Sequence, residues 1–123
     1  MPAEIEKVLE ALQTVRCGAA CTEEELHDLV GQALLSAGLD AQHEVRLAPR
    51  CRIDFLTGDI GIEIKKNRPD RMKLLAQLKR YAQCDRVRRL LVIAPRGIDL
   101  PEHIENKPVF MLALERLWGV CLP

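Results

Sequence analysis

The order of periodic segments predicts an α/β fold, ααβββαβ(α)β, and three observations carry that prediction. Apolar residues recur at helical spacing in three stretches, a Gly58–Asp59 turn separates two isoleucine-rich runs, and RLLVIA at 89–94 is an unbroken apolar segment suited to the buried centre of a sheet. With 123 residues and 48% hydrophobic side chains, the chain has material for one core and one domain covering 1–123.

Ile5, Val8, Leu9 and Leu12 mark residues 3–16 as an amphipathic helix that stops near Gly18. Thr22, with Glu25 three positions on, forms a capping box for a second helix. Its buried stripe is Leu26, Leu29, Val30, Ala33, Leu34 and Ala37, ended by Gly38. Glu25 is committed to the cap and Glu24 points to water, whereas Glu23 lies about 50° from the centre of the apolar stripe, one turn before His27. Residues 43–48 alternate as a strand, Pro49 and Arg50 turn the chain, and hairpin strands follow at 51–56 and 60–66. Pro69 opens a helix that runs to Cys84 with Leu74, Leu75, Leu78 and Tyr81 inward. After the 89–94 strand, Pro95 and Gly97 break the pattern, Leu100 to Asn106 reads as a short turn or helix, and Pro108 to Leu114 reads as a last strand.

A two-residue turn at Gly58 and Asp59 fixes the hairpin register. Thr57 then faces Ile60 and Leu56 faces Gly61, so that Asp54 faces Glu63 with both side chains on one sheet face. Lys65, two residues further, shares that face, and Ile53, Phe55, Ile62 and Ile64 fill the opposite, core side. Opposed carboxylates with Cβ atoms about 4.5–5.5 Å apart repel one another unless a cation or a proton lies between them. The pattern therefore asks for a metal. A solvated charged hairpin is the plain alternative, but Leu56 and Gly61 make the charged face partly apolar and open, as in a cleft.

The net charge of zero conceals segregation. Residues 1–41 hold eight acidic and two basic side chains, and residues 65–96 hold eleven basic against two acidic, a balance of +9. Such a field attracts a polyanion and favours phosphate contacts. Aromatic residues are only 3% of the chain, which disfavours a base-stacking platform. No run reaches the ~18–20 apolar residues of a membrane span, and MPAEIEKVLE has no secretion-signal pattern, so a cytoplasmic protein without a membrane partner is expected. Five cysteines with no CxxC pair read as reduced structural thiols. A zinc site at Cys17 and Cys21 is disfavoured by the scatter of His27, His43 and His103.

Taken together, the order of elements, the Asp54…Glu63-x-Lys65 pattern, Glu23 and the QLKRY segment resemble the PD-(D/E)XK nuclease superfamily, over roughly residues 20–114. The resemblance implies a restriction-endonuclease-like core, αβββαβ, with a mixed central sheet flanked by helices, here with an extra N-terminal helix at 1–18 and a C-terminal strand. Arg52 and Ile53 stand where the motif name would place a proline before Asp54. By resemblance, Asp54, Glu63 and the Ile64 backbone carbonyl hold Mg²⁺, with Mn²⁺ able to substitute, and Glu23 adds a metal contact. Lys65 orients the attacking water, and Gln77 and Tyr81 touch substrate or brace Lys65. Lys66, Arg68, Arg71, Lys73 and Arg80 are the candidate phosphate track. The implied activity is Mg²⁺-dependent hydrolysis of phosphodiester bonds in nucleic acid, DNA before RNA, by a chain for which a homodimer is compatible. The alternative is a nucleic-acid-binding module that keeps the fold without catalysis, against which the joint presence of Asp54, Glu63 and Lys65 argues.

Overall fold

Gly58 adopts φ +59°, the left-handed conformation that a two-residue turn demands of its first central residue, and the hairpin closes around it. A computed structural model describes residues 2–18 and 20–117 of the chain. Helices α1 (Pro2–Leu12) and α2 (Glu23–Ser36) precede strands β1 (Ala41–Ala48), β2 (Cys51–Thr57) and β3 (Ile60–Ile64). Helix α3 (Arg71–Ala82) then leads to β4 (Arg89–Ala94), β5 (His103–Ile104), β6 (Lys107–Ala113) and a last turn of helix, α4 (Leu114–Leu117). The six strands form one mixed sheet in the order β1–β2–β3–β4–β6–β5. The β1–β2 and β2–β3 pairs are antiparallel, β3–β4 and β4–β6 parallel, and β5–β6 antiparallel. Among the described residues no helix is long and apolar enough to cross a membrane.

The sheet separates two apolar layers. On one face Ile5, Val8 and Leu12 of α1 and Leu26, Val30 and Leu34 of α2 pack on Phe55, Ile62, Ile64, Leu91 and Ile93. On the other, Leu74, Leu78 and Tyr81 of α3 pack on Ile53, Leu56, Leu90 and Val92. β4 is buried along its whole length, as its unbroken apolar run requires.

Several expectations need correction. α1 ends at Leu12 instead of Arg16, because the Thr14 hydroxyl donates to the Ala11 carbonyl at 2.9 Å and competes with the helical ladder. Leu29 is 37% exposed, at the margin of the α2 stripe. Asp70, and not Pro69, starts α3: its carboxylate accepts from the Met72 and Lys73 amides at 2.9 and 3.2 Å. Residues 103–104 form the short strand β5, paired to β6 through a turn in which Glu105 and Asn106 have φ of 52° and 64°. Cys17 and Cys21 are joined as a disulfide, with Cα atoms 5.5 Å apart across a turn closed by the Cys21 amide on the Gly18 carbonyl at 3.0 Å. Only Cys51 and Cys84 match the expected thiols among the described residues.

The most consequential correction concerns β2. Phe55 faces the α1/α2 layer, but Ile53, two residues earlier, lies in the α3 layer beside Leu56. β1 does the same, since His43 stacks on Phe55 with ring centroids 4.6 Å apart while Val45 packs with the α3 layer. Between them Glu44 has φ 53°, and the β1–β2 pairing passes from His43↔Phe55 to Val45↔Ile53 without a Glu44↔Asp54 rung. A left-handed non-glycine residue costs about 1–2 kcal/mol. Here it turns both strands over, and Asp54 sits at the turning point.

Gly61 shows how tightly the α3 layer closes beside this twist. A Cβ on Gly61 would lie 2.5 Å from Ile53 Cδ1 and 3.3 Å from Val87 Cγ1, both on fully buried side chains. Gly61→Ala should therefore destabilise the protein by about 1–3 kcal/mol, read as a lower urea midpoint at unchanged slope. A wild-type midpoint would mean that Ile53 has a free rotamer to move into.

Candidate active site

The hairpin register holds as far as Phe55↔Ile62, and there the β2–β3 ladder ends. The Ile64 amide, which belongs to the next hydrogen-bonded rung, donates to Asp54 Oδ2 at 2.7 Å. Asp54 and Glu63 are thus neighbours at a fork in the sheet and not a directly opposed pair. On its other side β3 stays paired to β4, and the Lys65 amide extends that ladder to the Ile93 carbonyl at 2.8 Å. A strand residue sends its amide and its carbonyl to the same edge, so the Ile64 carbonyl also leaves toward Asp54.

Glu63 is 4% exposed and faces α3. Its Oε1 accepts from the Tyr81 hydroxyl at 2.8 Å and its Oε2 lies 3.1 Å from Lys65 Nζ. Burial, and then the negative charge of Asp54, push the Glu63 carboxyl up to about 7 against the pull of Lys65 and Tyr81. Asp54 is also raised, chiefly by burial, with the Ile64 amide, His27 and Lys65 opposing and Glu23 adding to the rise. Tyr81 is 1% exposed, and burial with the Glu63 charge raises its phenol, which stays a neutral donor. Its hydroxyl also lies 3.0 Å from the Arg52 carbonyl. One proton cannot serve both acceptors fully, so the Tyr81 hydrogen goes to ionised Glu63, and on protonation Glu63 can donate to Tyr81 while Tyr81 donates to Arg52.

The expected site residues divide by position. Asp54, Glu63, Lys65 and Tyr81 converge at the C-terminal end of β3. Tyr81 braces Glu63, not Lys65, and is almost wholly buried. Glu23 and Glu25 separate as expected. Glu25 closes the capping box with Thr22 at 3.0 and 3.1 Å, while Glu23 opens onto a cleft of about 540 Å³. Lys65, Lys66, Arg68, Lys73, Gln77 and Arg80 line that same cleft. Arg71 lines an adjoining cleft of about 570 Å³ with Arg96, and its Nε donates to the Asp99 carbonyl at 2.7 Å, which ties the segment after β4 to α3. Arg89 belongs elsewhere, paired with Asp59 at 2.6 Å. Among the described residues no three His, Cys, Asp or Glu side chains converge as a ready ligand cluster. A metal here would have Asp54, Glu63 and the Ile64 carbonyl as donors, a set that would suit a hard cation retaining several waters.

His27 was not anticipated as part of the site. Its Nε2 is 3.9 Å from Asp54 Oδ2 and its Nδ1 is 3.1 Å from Nε2 of His43. The helical spacing from Glu23 to His27 held the signal for the first contact, but no sequence pattern joins His27 to His43.

Comparisons of the chain with protein-family models, with curated proteins and with solved structures each found no match. The likeness to the PD-(D/E)XK superfamily therefore rests on the residues themselves.

Two measurements check the site. Because Glu63 titrates higher in the folded than in the unfolded chain, its contribution is fully present below pH 4.5, falls as pH rises and is spent above about 7. Relative to wild type, Glu63→Gln should gain about 3 kcal/mol of stability between those limits, and parallel stability curves would show that Glu63 is not strained. Tyr81→Phe removes a donor to the ionised form, so the Glu63 titration followed by carboxyl NMR should move further up. A downward move would assign the Tyr81 hydroxyl to the Arg52 carbonyl alone.

Proposed function

We propose that this chain is a cytoplasmic, metal-dependent nuclease of the PD-(D/E)XK type, hydrolysing phosphodiester bonds in nucleic acid, most simply DNA. The observation that carries the proposal is the convergence of Asp54, Glu63 and Lys65 at the end of β3, where Lys65 lines a cleft whose cations outnumber its carboxylates. Clefts at the carboxyl ends of parallel strands are where open α/β sheets bind ligands, and β3–β4 is such a pair. The raised carboxyls of Asp54 and Glu63 fit a cation-binding pair, since a bound divalent ion would offset both burial and mutual repulsion.

Asp54, Glu63 and the Ile64 carbonyl would hold Mg²⁺ or Mn²⁺, which supplies Lewis-acid charge at the phosphoryl oxygens and lowers the pKa of water. Lys65, held on Glu63 at 3.1 Å, orients the attacking water and offsets charge developing on the phosphate. Glu23, which lines the cleft, would add a contact to the metal or to one of its waters. Lys66, Arg68, Lys73 and Arg80 meet the backbone phosphates. The Cys17–Cys21 bond is the feature that fits a reducing compartment least well.

A nicking assay on supercoiled plasmid tests the whole proposal: cleavage with Mg²⁺ or Mn²⁺, none with EDTA. Lys65→Ala should cut the rate roughly 10²-fold or more while leaving nucleic-acid affinity nearly intact. Glu63→Ala should lose both cleavage and the thermal stabilisation that millimolar Mg²⁺ gives wild type. Wild-type cleavage by Lys65→Ala would remove the hairpin from the chemistry, and an inert wild type that still binds DNA would favour the binding module.

A further inference from the structure

β1 and β2 place Arg46 directly opposite Arg52. Like charges in facing positions of an antiparallel pair destabilise it. Arg50, in the turn between them, adds a third guanidinium and is held at φ 60°. These three arginines line a cleft of about 380 Å³ with Cys51, Gln77, Arg80 and Tyr81, and among the described residues no carboxylate lines it. Gln77 and Arg80 also line the catalytic cleft, so the two depressions meet across one turn of α3. On its other side the catalytic cleft shares residues 66–69 with the cleft that holds Arg71 and Arg96. The three depressions adjoin one another through these shared residues, with Lys65 in the middle one.

We infer that the β1–β2 arginines form a phosphate-binding end of a groove that runs through the site, and that the substrate is the interior of a nucleic-acid strand, not its terminus. This rests on the nuclease reading of the central cleft and names the substrate it takes. A groove with cations on both sides of the scissile position holds phosphates both upstream and downstream of it. A site for terminal nucleotides needs a wall on one side, and here both neighbouring spaces are open and basic. The facing Arg46 and Arg52 gain from an anion between them, so binding relieves a repulsion that the free protein carries. Among the described residues no aromatic face besides the buried Tyr81 lines the arginine cleft, which leaves charge and hydrogen bonding to phosphate as its recognition chemistry.

Binding is read without cleavage by fluorescence anisotropy of a blunt duplex DNA in EDTA, across a salt series. The variant Arg46→Gln/Arg50→Gln changes two exposed side chains and should melt at or slightly above the wild-type temperature, since it removes one of two facing charges. Its affinity should fall, and its slope of log affinity against log salt should be shallower by about two, each lost phosphate contact accounting for about 0.9. Arg86→Gln, within the basic run by sequence but outside all three clefts, should bind as wild type. In Mg²⁺ the wild type should cut a covalently closed circle as readily as its linearised form. Equal slopes for wild type and the double variant, or a requirement for a free end, would overturn the inference while leaving cleavage itself in place. Shallower binding by the double variant together with an inert wild type would instead sink the nuclease reading and retain the groove.

Discussion

Glu63 lies on the central strand of the sheet at 4% exposure, where an ionised carboxylate costs several kcal/mol unless charge and hydrogen bonds meet it. Its partners come from opposite directions. Tyr81 reaches it from α3, and Lys65 folds back from the residue just beyond β3. Tyr81 fixes the rotation of α3 on the sheet, and that rotation turns Gln77 and Arg80 to the cleft while Leu74 and Leu78 stay buried. Lys65 is in turn held by its amide on β4. A single buried acid thus ties the chemistry of the hairpin to the docking of the helix and to the parallel pair that opens the cleft.

The second constraint is the fork at Asp54. An uninterrupted β2–β3 ladder would satisfy the Ile64 amide on the backbone and leave Asp54 stacked against Glu63. Instead the left-handed Glu44 turns β1 and β2 over, Ile53 drops into the α3 layer, and the Asp54 carboxylate takes the amide that the ladder gives up. Backbone strain of this size persists where surrounding structure overdetermines it, and such places cluster at functional sites. Here the strain is offset by a charge-assisted hydrogen bond and by the burial of Ile53.

Much of this was legible because it depends on short-range rules. The Gly58–Asp59 turn set the register correctly to Phe55↔Ile62, the Thr22–Glu25 box set the start of α2, and helical spacing put Gln77 and Tyr81 on related faces of α3. The register failed one step later because no residue type announces a left-handed glutamate, and extrapolating a ladder assumes that neither strand turns over. The arginine cleft stayed hidden for a different reason. Arg46 and Arg52 are remote from the basic run in sequence, and only the β1–β2 pairing sets them opposite one another and beside Arg80. The His27–His43 contact spans sixteen residues and two elements, beyond any periodic signal. The Cys17–Cys21 pair lies in an irregular turn, where spacing says little about approach.

The electrostatics of the site also explain why its parts belong together. A polyanion entering a cleft lined by Lys65, Lys73 and Arg80 would feel the charge of ionised Asp54 and Glu63 behind Lys65, and both carboxyls are already raised from their ordinary values. Protonation lowers that repulsion but removes the ligands. A divalent cation lowers it and keeps them. On the nuclease reading, metal and phosphate backbone are therefore each bound more tightly in the presence of the other, and the coupling is reciprocal because both act on the same two charges. On the same reading the basic flanks would raise the local concentration of nucleic acid whether or not a metal is present, whereas the carboxylate pair would decide whether a phosphate can settle at Lys65. The flanking arginines and lysines would then act on affinity alone, and the Asp54–Glu63–Lys65 fork on cleavage and on the metal-linked part of affinity.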